Sequence, residues 1–211
     1  MRDLPDVIGI PPVTRVLLGA NLAVQIVLAL AGGVFASHVI AEAGLVPARL
    51  TGALRVVDAS VPPMLTLVSA LFIHGGWLHL GMNALFLIAI ARFVEPLFGS
   101  AQFLVIYFVG GVAGGLAQTL VDPGSLDPVI GASGAISSVF GTYVMRFAAR
   151  PDPPAPLARA ARLEWFIAFR FALAWGALQW LVSLAGFGIA VWAHVGGFLA
   201  GLIFGVQSTR E

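Results

Sequence analysis

"DPVIGASGAISSVFG", residues Asp127–Gly141, leaves a turn at Asp127-Pro128 and enters an apolar run studded with small residues. Gly134 and Ser138, and Ser137 and Gly141, recur at four-residue spacing. That pattern lets two helix backbones approach closely in lipid. Ser133, between Ala132 and Gly134, stands at the head of the run. A hydroxyl there serves close packing or acts as a nucleophile, and the choice depends on what the rest of the chain brings beside it.

The rest of the chain supplies a bilayer-spanning frame. Of 211 residues, 59% are hydrophobic and only 10% charged, with a mean hydropathy of +0.98. A soluble domain carries about 25% charged residues, so this chain cannot cover a water-facing surface. It reads as an integral membrane protein folded as one domain over residues 1–211. The net charge of +1 points to no nucleic-acid partner. All 11 basic residues are arginine and cysteine is absent. Lysine Schiff bases, thiolate nucleophiles, disulfides and Cys-ligated metals are therefore excluded. Residues 1–12 carry Arg2, Asp3 and Asp6 ahead of the first apolar run. They are expected to form a short cytoplasmic segment without a cleavable signal.

A span needs about 20 apolar residues. Six are expected within a core of residues 13–207: Val13–Ala36, Trp77–Val94 closed by Pro96, Phe103–Leu120, Gly131–Phe147, Trp165–Leu184 and Ile189–Val206. The fold class is thus all-α, a polytopic membrane bundle. The long connection between the first two spans contains "MLTLVSALFI", apolar enough to dip into the bilayer. "VDPGSLDP" is a turn-rich loop, and "ARPDPPAPLARAARLE" the one hydrophilic linker of any length. Basic residues stay on the cytoplasmic side. With both termini inside, Arg2, Arg15, Arg92, Arg146, Arg150, Arg159, Arg162 and Arg210 lie there, against Arg49 and Arg55 outside.

In that topology spans two, four and six run from outside to inside, and each carries polar residues near its outer end: His79 and Asn83, Ser133, and His194. His79 and Asn83 are i and i+4 and share a helix face. Polar groups inside spans face the bundle interior or a wet cavity, which points to one pocket opening outward. Gly197, Gly201 and Gly205 give span six a flat face to match span four, and "GGVAGG" gives span three another. If spans four and six pack on these faces, Ser133 and His194 meet.

Taken singly, each residue has an ordinary reading: Ser133 as packing, His194 bonded to a carbonyl, Asn83 as interhelical glue, His79 wet at the surface. His38 and His74 read as loop histidines, and Asp122 and Asp127 as solvated turn residues. Four polar residues at one depth favour chemistry. Serine and histidine form a dyad, with imidazole as general base and then acid. His79, Asn83 and the Ser133 N–H at a helix N-terminus suit the oxyanion. Zinc is not expected, because H-E-x-x-H is absent and the histidines have no acidic partner, and no cofactor is called for.

"HGGWLHLGMN", "GASG" and "AHVGGFLAG", in that order on successive even-numbered spans, resemble the rhomboid family of intramembrane serine proteases. The resemblance covers roughly Val13–Gln207. It implies Ser133 as nucleophile, His194 as its base, and His79 and Asn83 in the oxyanion hole. It implies structural roles for Glu95 and Gly99 and a part for His74 in keeping the site wet. Substrates would be single transmembrane segments, entering sideways and cut near the outer face, with no cofactor; arginine-only basicity and the minimal six-span core point to a bacterial inner membrane. Span five, with Trp165, Trp175 and Trp180, is a candidate movable gate. Two positions depart from the family pattern. The stretch "VPPMLTL" lacks the Trp-Arg pair many members carry, and Ser137 stands where many place a bulky aromatic. A proteolytically inactive relative that binds membrane helices is the alternative, and a small transporter a more distant one.

Overall fold

The computed structural model describes residues 9–56, 59–148, 166–167, 169–171, 173–177, 179 and 190–207. The linker between spans four and five, Trp165, Trp180, and the arginines at 2, 150, 159, 162 and 210 lie outside the described residues. The helices are α1 Pro12–Ala31, α2 Gly33–Ala43, α3 Pro47–Thr51, α4 Thr66–Ser69, α5 Trp77–Phe98, α6 Ser100–Val121, α7 Ser133–Tyr143 and α8 Val191–Gln207. Short 3-10 turns flank α4, and a π-turn, Val144–Ala148, extends α7. Residues 166–179 are helical wherever they are described.

Among the described residues, three helices, α1, α5 and α6, are long and apolar enough to cross a membrane. Their outer faces leave no other solvent acceptable: Leu30, Leu85 and Leu120 are 84%, 69% and 81% exposed. The chain is an integral membrane protein with an α-helical bundle. Inside, Leu87, Ile90 and Val94 of α5 pack with Phe103, Ile106 and Tyr107 of α6 and Ala135, Ile136 and Val139 of α7.

Two expected helix ends are corrected. The first span does not run to Ala36: it stops at Ala31, because Gly32 adopts φ +90°, a conformation open to glycine, and α2 starts afresh. Nor does Pro96 close the second span. α5 runs through it to Phe98, and Gly99 at φ +78° ends it. Proline holds a helical φ, and the hydrogen bond it removes falls in the last turn of the helix.

Glu95, only 2% exposed, explains how α1 begins. Its carboxylate accepts the Val13 N–H at 2.8 Å, the Thr14 N–H at 2.9 Å and the Thr14 hydroxyl at 2.7 Å. The first N–H groups of a helix have no partner within it, and a negative charge suits that end. One buried side chain on α5 thereby caps α1. The long connection is tied down by Arg49, which donates to the carbonyls of Ala41 at 2.6 Å, Glu42 at 3.1 Å and Val61 at 3.1 Å. "MLTLVSALFI" becomes the α4 segment, whose Leu67 and Leu71 press on Gly115 and Gly111 of α6.

Candidate active site

The contact between α7 and α8 is built from backbone. A Cβ at Gly197 would overlap the carbonyl oxygen of Gly134, one at Gly201 that of Ser138, and one at Gly141 that of Phe198. The small-residue faces read from the sequence do pack on each other. α6 joins them through its own glycines: Gly114 lies against the Ala193 carbonyl and Gly110 against Ser138. Hydroxyls lock the three helices together. Ser138 donates to the Ile106 carbonyl at 2.9 Å, and Thr142 to those of Ser138 and Gly201, each at 3.0 Å.

That close approach brings two side chains together. Ser133 Oγ is 2.6 Å from His194 Nε2. Ser133 opens α7, and His194 lies in the first turn of α8 and is 8% exposed. On its other side His194 Nδ1 is 2.6 Å from Gln179 Oε1. An amide oxygen only accepts, so Nδ1 carries the proton and Nε2 is left bare to accept from the Ser133 hydroxyl. This is the arrangement a general base requires. Gln179 escapes sequence reading: a lone glutamine in an apolar span belongs to no motif, and only the packing shows its target. Ser137 donates to the Ser133 carbonyl at 2.8 Å.

The α5 side of Ser133 is framed by Gly131, at φ +108°, whose N–H donates to the Ala70 carbonyl at 2.9 Å. A Cβ there would lie 2.8 Å from Cε1 and Nε2 of His79, so only glycine lets this turn pass beneath the ring. His79 Nδ1 accepts the Gly75 N–H at 3.3 Å, which puts its proton on Nε2, the nitrogen nearest Gly131. Asn83 Nδ2 donates to the His79 carbonyl at 3.0 Å and lies 3.9 Å from the same Cβ position. A carboxamide has two N–H groups, so a second is left for a ligand. At the start of α7 the Ser133 N–H has no intrahelical acceptor. His79 and Asn83 thus border Gly131, two residues before Ser133, whose hydroxyl meets His194.

His74 is not a surface loop residue. It is 2% exposed, accepts the Ala132 N–H at 3.5 Å and meets His79 edge-on at 5.1 Å. Burial, and then the neighbouring His79, lower its pKa from 6.5 to about 4. It is a neutral strut under the turn that leads to Ser133. His38 is exposed on α2, and Asp122 and Asp127 are exposed in the turn.

A family profile described as the rhomboid domain matches residues 62–210. Among similar proteins, Rhomboid-like protease 5 of Toxoplasma gondii is 30% identical over 155 residues, covering 70% of this chain and 16% of that one. Rhomboid protease GluP of Bacillus subtilis is 37% identical over 37% of this chain and 15% of its own. Inactive rhomboid protein 1 of Rattus norvegicus is 30% identical over 63% of this chain and 14% of its own. The chain therefore spans a small part of the length of these relatives.

Proposed function

On the premise that the chain belongs to the rhomboid family, we propose that it is an intramembrane serine endopeptidase working through a Ser133–His194 dyad. The observation that carries this reading is the 2.6 Å contact between Ser133 Oγ and a His194 Nε2 whose proton is held on Nδ1.

The steps follow from that geometry. Ser133 Oγ attacks the carbonyl carbon of a substrate peptide bond while His194 Nε2 takes the hydroxyl proton. The negative charge on the carbonyl oxygen meets the Ser133 N–H, His79 Nε2–H and the second N–H of Asn83. His194 then passes its proton to the leaving amine nitrogen as the C–N bond breaks, leaving an ester on Ser133. Water enters, gives a proton to His194, and its oxygen attacks the ester. Return of that proton to Ser133 Oγ releases the acid product.

Substrates are single transmembrane segments. A peptide bond within a helix has its carbonyl bonded and shielded, so residues that weaken the helix near the cut favour cleavage. Ser133, at the start of α7, is reached by water from the outer side. The placement of arginine assigns both termini to the cytoplasmic side.

The rat relative is named inactive, and the rival reading is an inactive protein that binds membrane helices; the Ser133–His194 contact argues against it. The test is incubation of purified protein with a panel of tagged transmembrane segments, wild type beside Ser133→Ala. Products that appear only with wild type support the proposal. Products with both proteins, or with neither across the panel, overturn it.

A further inference from the structure

Gln179 is helical, as are the other described residues between 166 and 177, and is 6% exposed. One turn before it Trp175 stacks on Phe86 of α5, centroids 5.4 Å apart and 15° from parallel, and packs on Phe140 of α7 at 5.0 Å. Residues four apart share a helix face, so the anchored tryptophan fixes the direction in which Gln179 projects. That direction ends on His194 Nδ1, at 2.6 Å.

A neutral imidazole has two tautomers, and only the one protonated on Nδ1 leaves Nε2 able to take the serine proton. The partner of Nδ1 decides between them. Position 137, on α7, carries a hydroxyl that is already donated to the Ser133 carbonyl. The acceptor that meets Nδ1–H comes from another helix, as Gln179 Oε1. A carboxylate would do this at the cost of a buried charge in an apolar bundle, whereas an amide oxygen accepts the same bond without one. We propose that Gln179 is the positioning residue of the site, holding His194 in its base-competent tautomer and rotamer, so that the working unit is Ser133–His194–Gln179. This rests on the dyad reading above.

The test uses the rate at which a fluorophosphonate probe labels Ser133, because that rate reports activation of the serine without a transmembrane substrate. It is measured with kcat, KM and melting temperature for wild type, Gln179→Leu, Gln179→Met and Gln179→Glu. In a soluble Ser-His-Asp protease the wrong tautomer costs about 10⁴-fold in kcat. Here the imidazole is also held by Ser133 of α7, and the loss expected in the Leu and Met variants is about 10- to 100-fold in labelling and kcat, with KM unchanged. The Glu variant, which keeps an acceptor oxygen, should recover most of the rate. Wild-type labelling in either the Leu or the Met variant overturns the proposal. So does a loss shared by all three variants in step with lowered melting temperature, which is the signature of packing alone. The dyad itself is judged separately: if Ser133→Ala still cleaves, that reading falls whatever the Gln179 variants do.

Discussion

Gly197→Ala adds one methyl group where α7 and α8 meet backbone to backbone, three residues after His194 and opposite the residue that follows Ser133. The added Cβ would overlap the Gly134 carbonyl oxygen and lie 3.4 Å from that of Gly110, so it is pinched between α7 and α6. Non-bonded contacts settle near 3.5–4.0 Å, so α7 and α8 must part by about 1 Å or more. Ser133 Oγ and His194 Nε2 are now 2.6 Å apart. The same shift takes them beyond about 3.0 Å, the outer limit of a good hydrogen bond to a hydroxyl. A misplacement of about 1 Å costs about 10²-fold in rate. Folding should survive, since overpacking of about 1–3 kcal/mol is partly offset by about 1 kcal/mol of helix propensity gained over glycine. The assay is kcat on a tagged transmembrane segment in detergent, with a thermal melt on the same sample. Gly81→Ala, whose Cβ would meet nothing within 4 Å, serves as the control and should keep full activity. Wild-type kcat in Gly197→Ala refutes the argument that the glycine contact sets the dyad distance.

Asn83→Ala should slow cleavage by about 10²-fold or less, because His79 and the Ser133 N–H remain as oxyanion donors. Unchanged kcat with a lowered melting temperature would assign Asn83 to helix packing instead. Glu95→Ala strips three hydrogen bonds from the start of α1 and should cost about 3 kcal/mol or more of stability. The rate at which folded protein is labelled by fluorophosphonate should not change, and a selective loss of that rate would contradict a capping role. His74 has a folded-state pKa near 4, below its ordinary 6.5. Its contribution to stability is therefore complete above about pH 6.5 and is lost as pH falls toward 4. His74→Gln should flatten the fall in melting temperature across that window, and an unaltered fall would assign it to other groups.

The α7–α8 interface was legible because its signal is local. Four-residue spacing of Gly197, Gly201 and Gly205, and of Gly134 and Ser138, is a property of one helix face, and two such faces have one good way to meet. The approach of Ser133 to His194 follows from it. Gln179 was not legible, since a glutamine's role depends on which helix it faces, and no spacing in its own segment encodes that. His74 reads as a loop residue by sequence, yet the turn at Gly131 folds over it and drives water out. The stretch "VPPMLTL" lacks an arginine, but Arg49, earlier in the chain, holds three carbonyls of the same connection. Guanidinium reach, rather than sequence position, decides which residue ties that loop. The break at Gly32 was missed because apolar residues continue on both sides of it, and hydropathy does not register a change of φ.

The central claim is that Ser133 is a nucleophile activated by His194. Its most direct test is exposure of the purified protein to a fluorophosphonate, followed by digestion and mass mapping of the adduct. One adduct, on Ser133, is expected in the wild type and none in His194→Ala while that variant stays folded. Labelling that misses Ser133, or labelling of Ser133 at the same rate without His194, would contradict it.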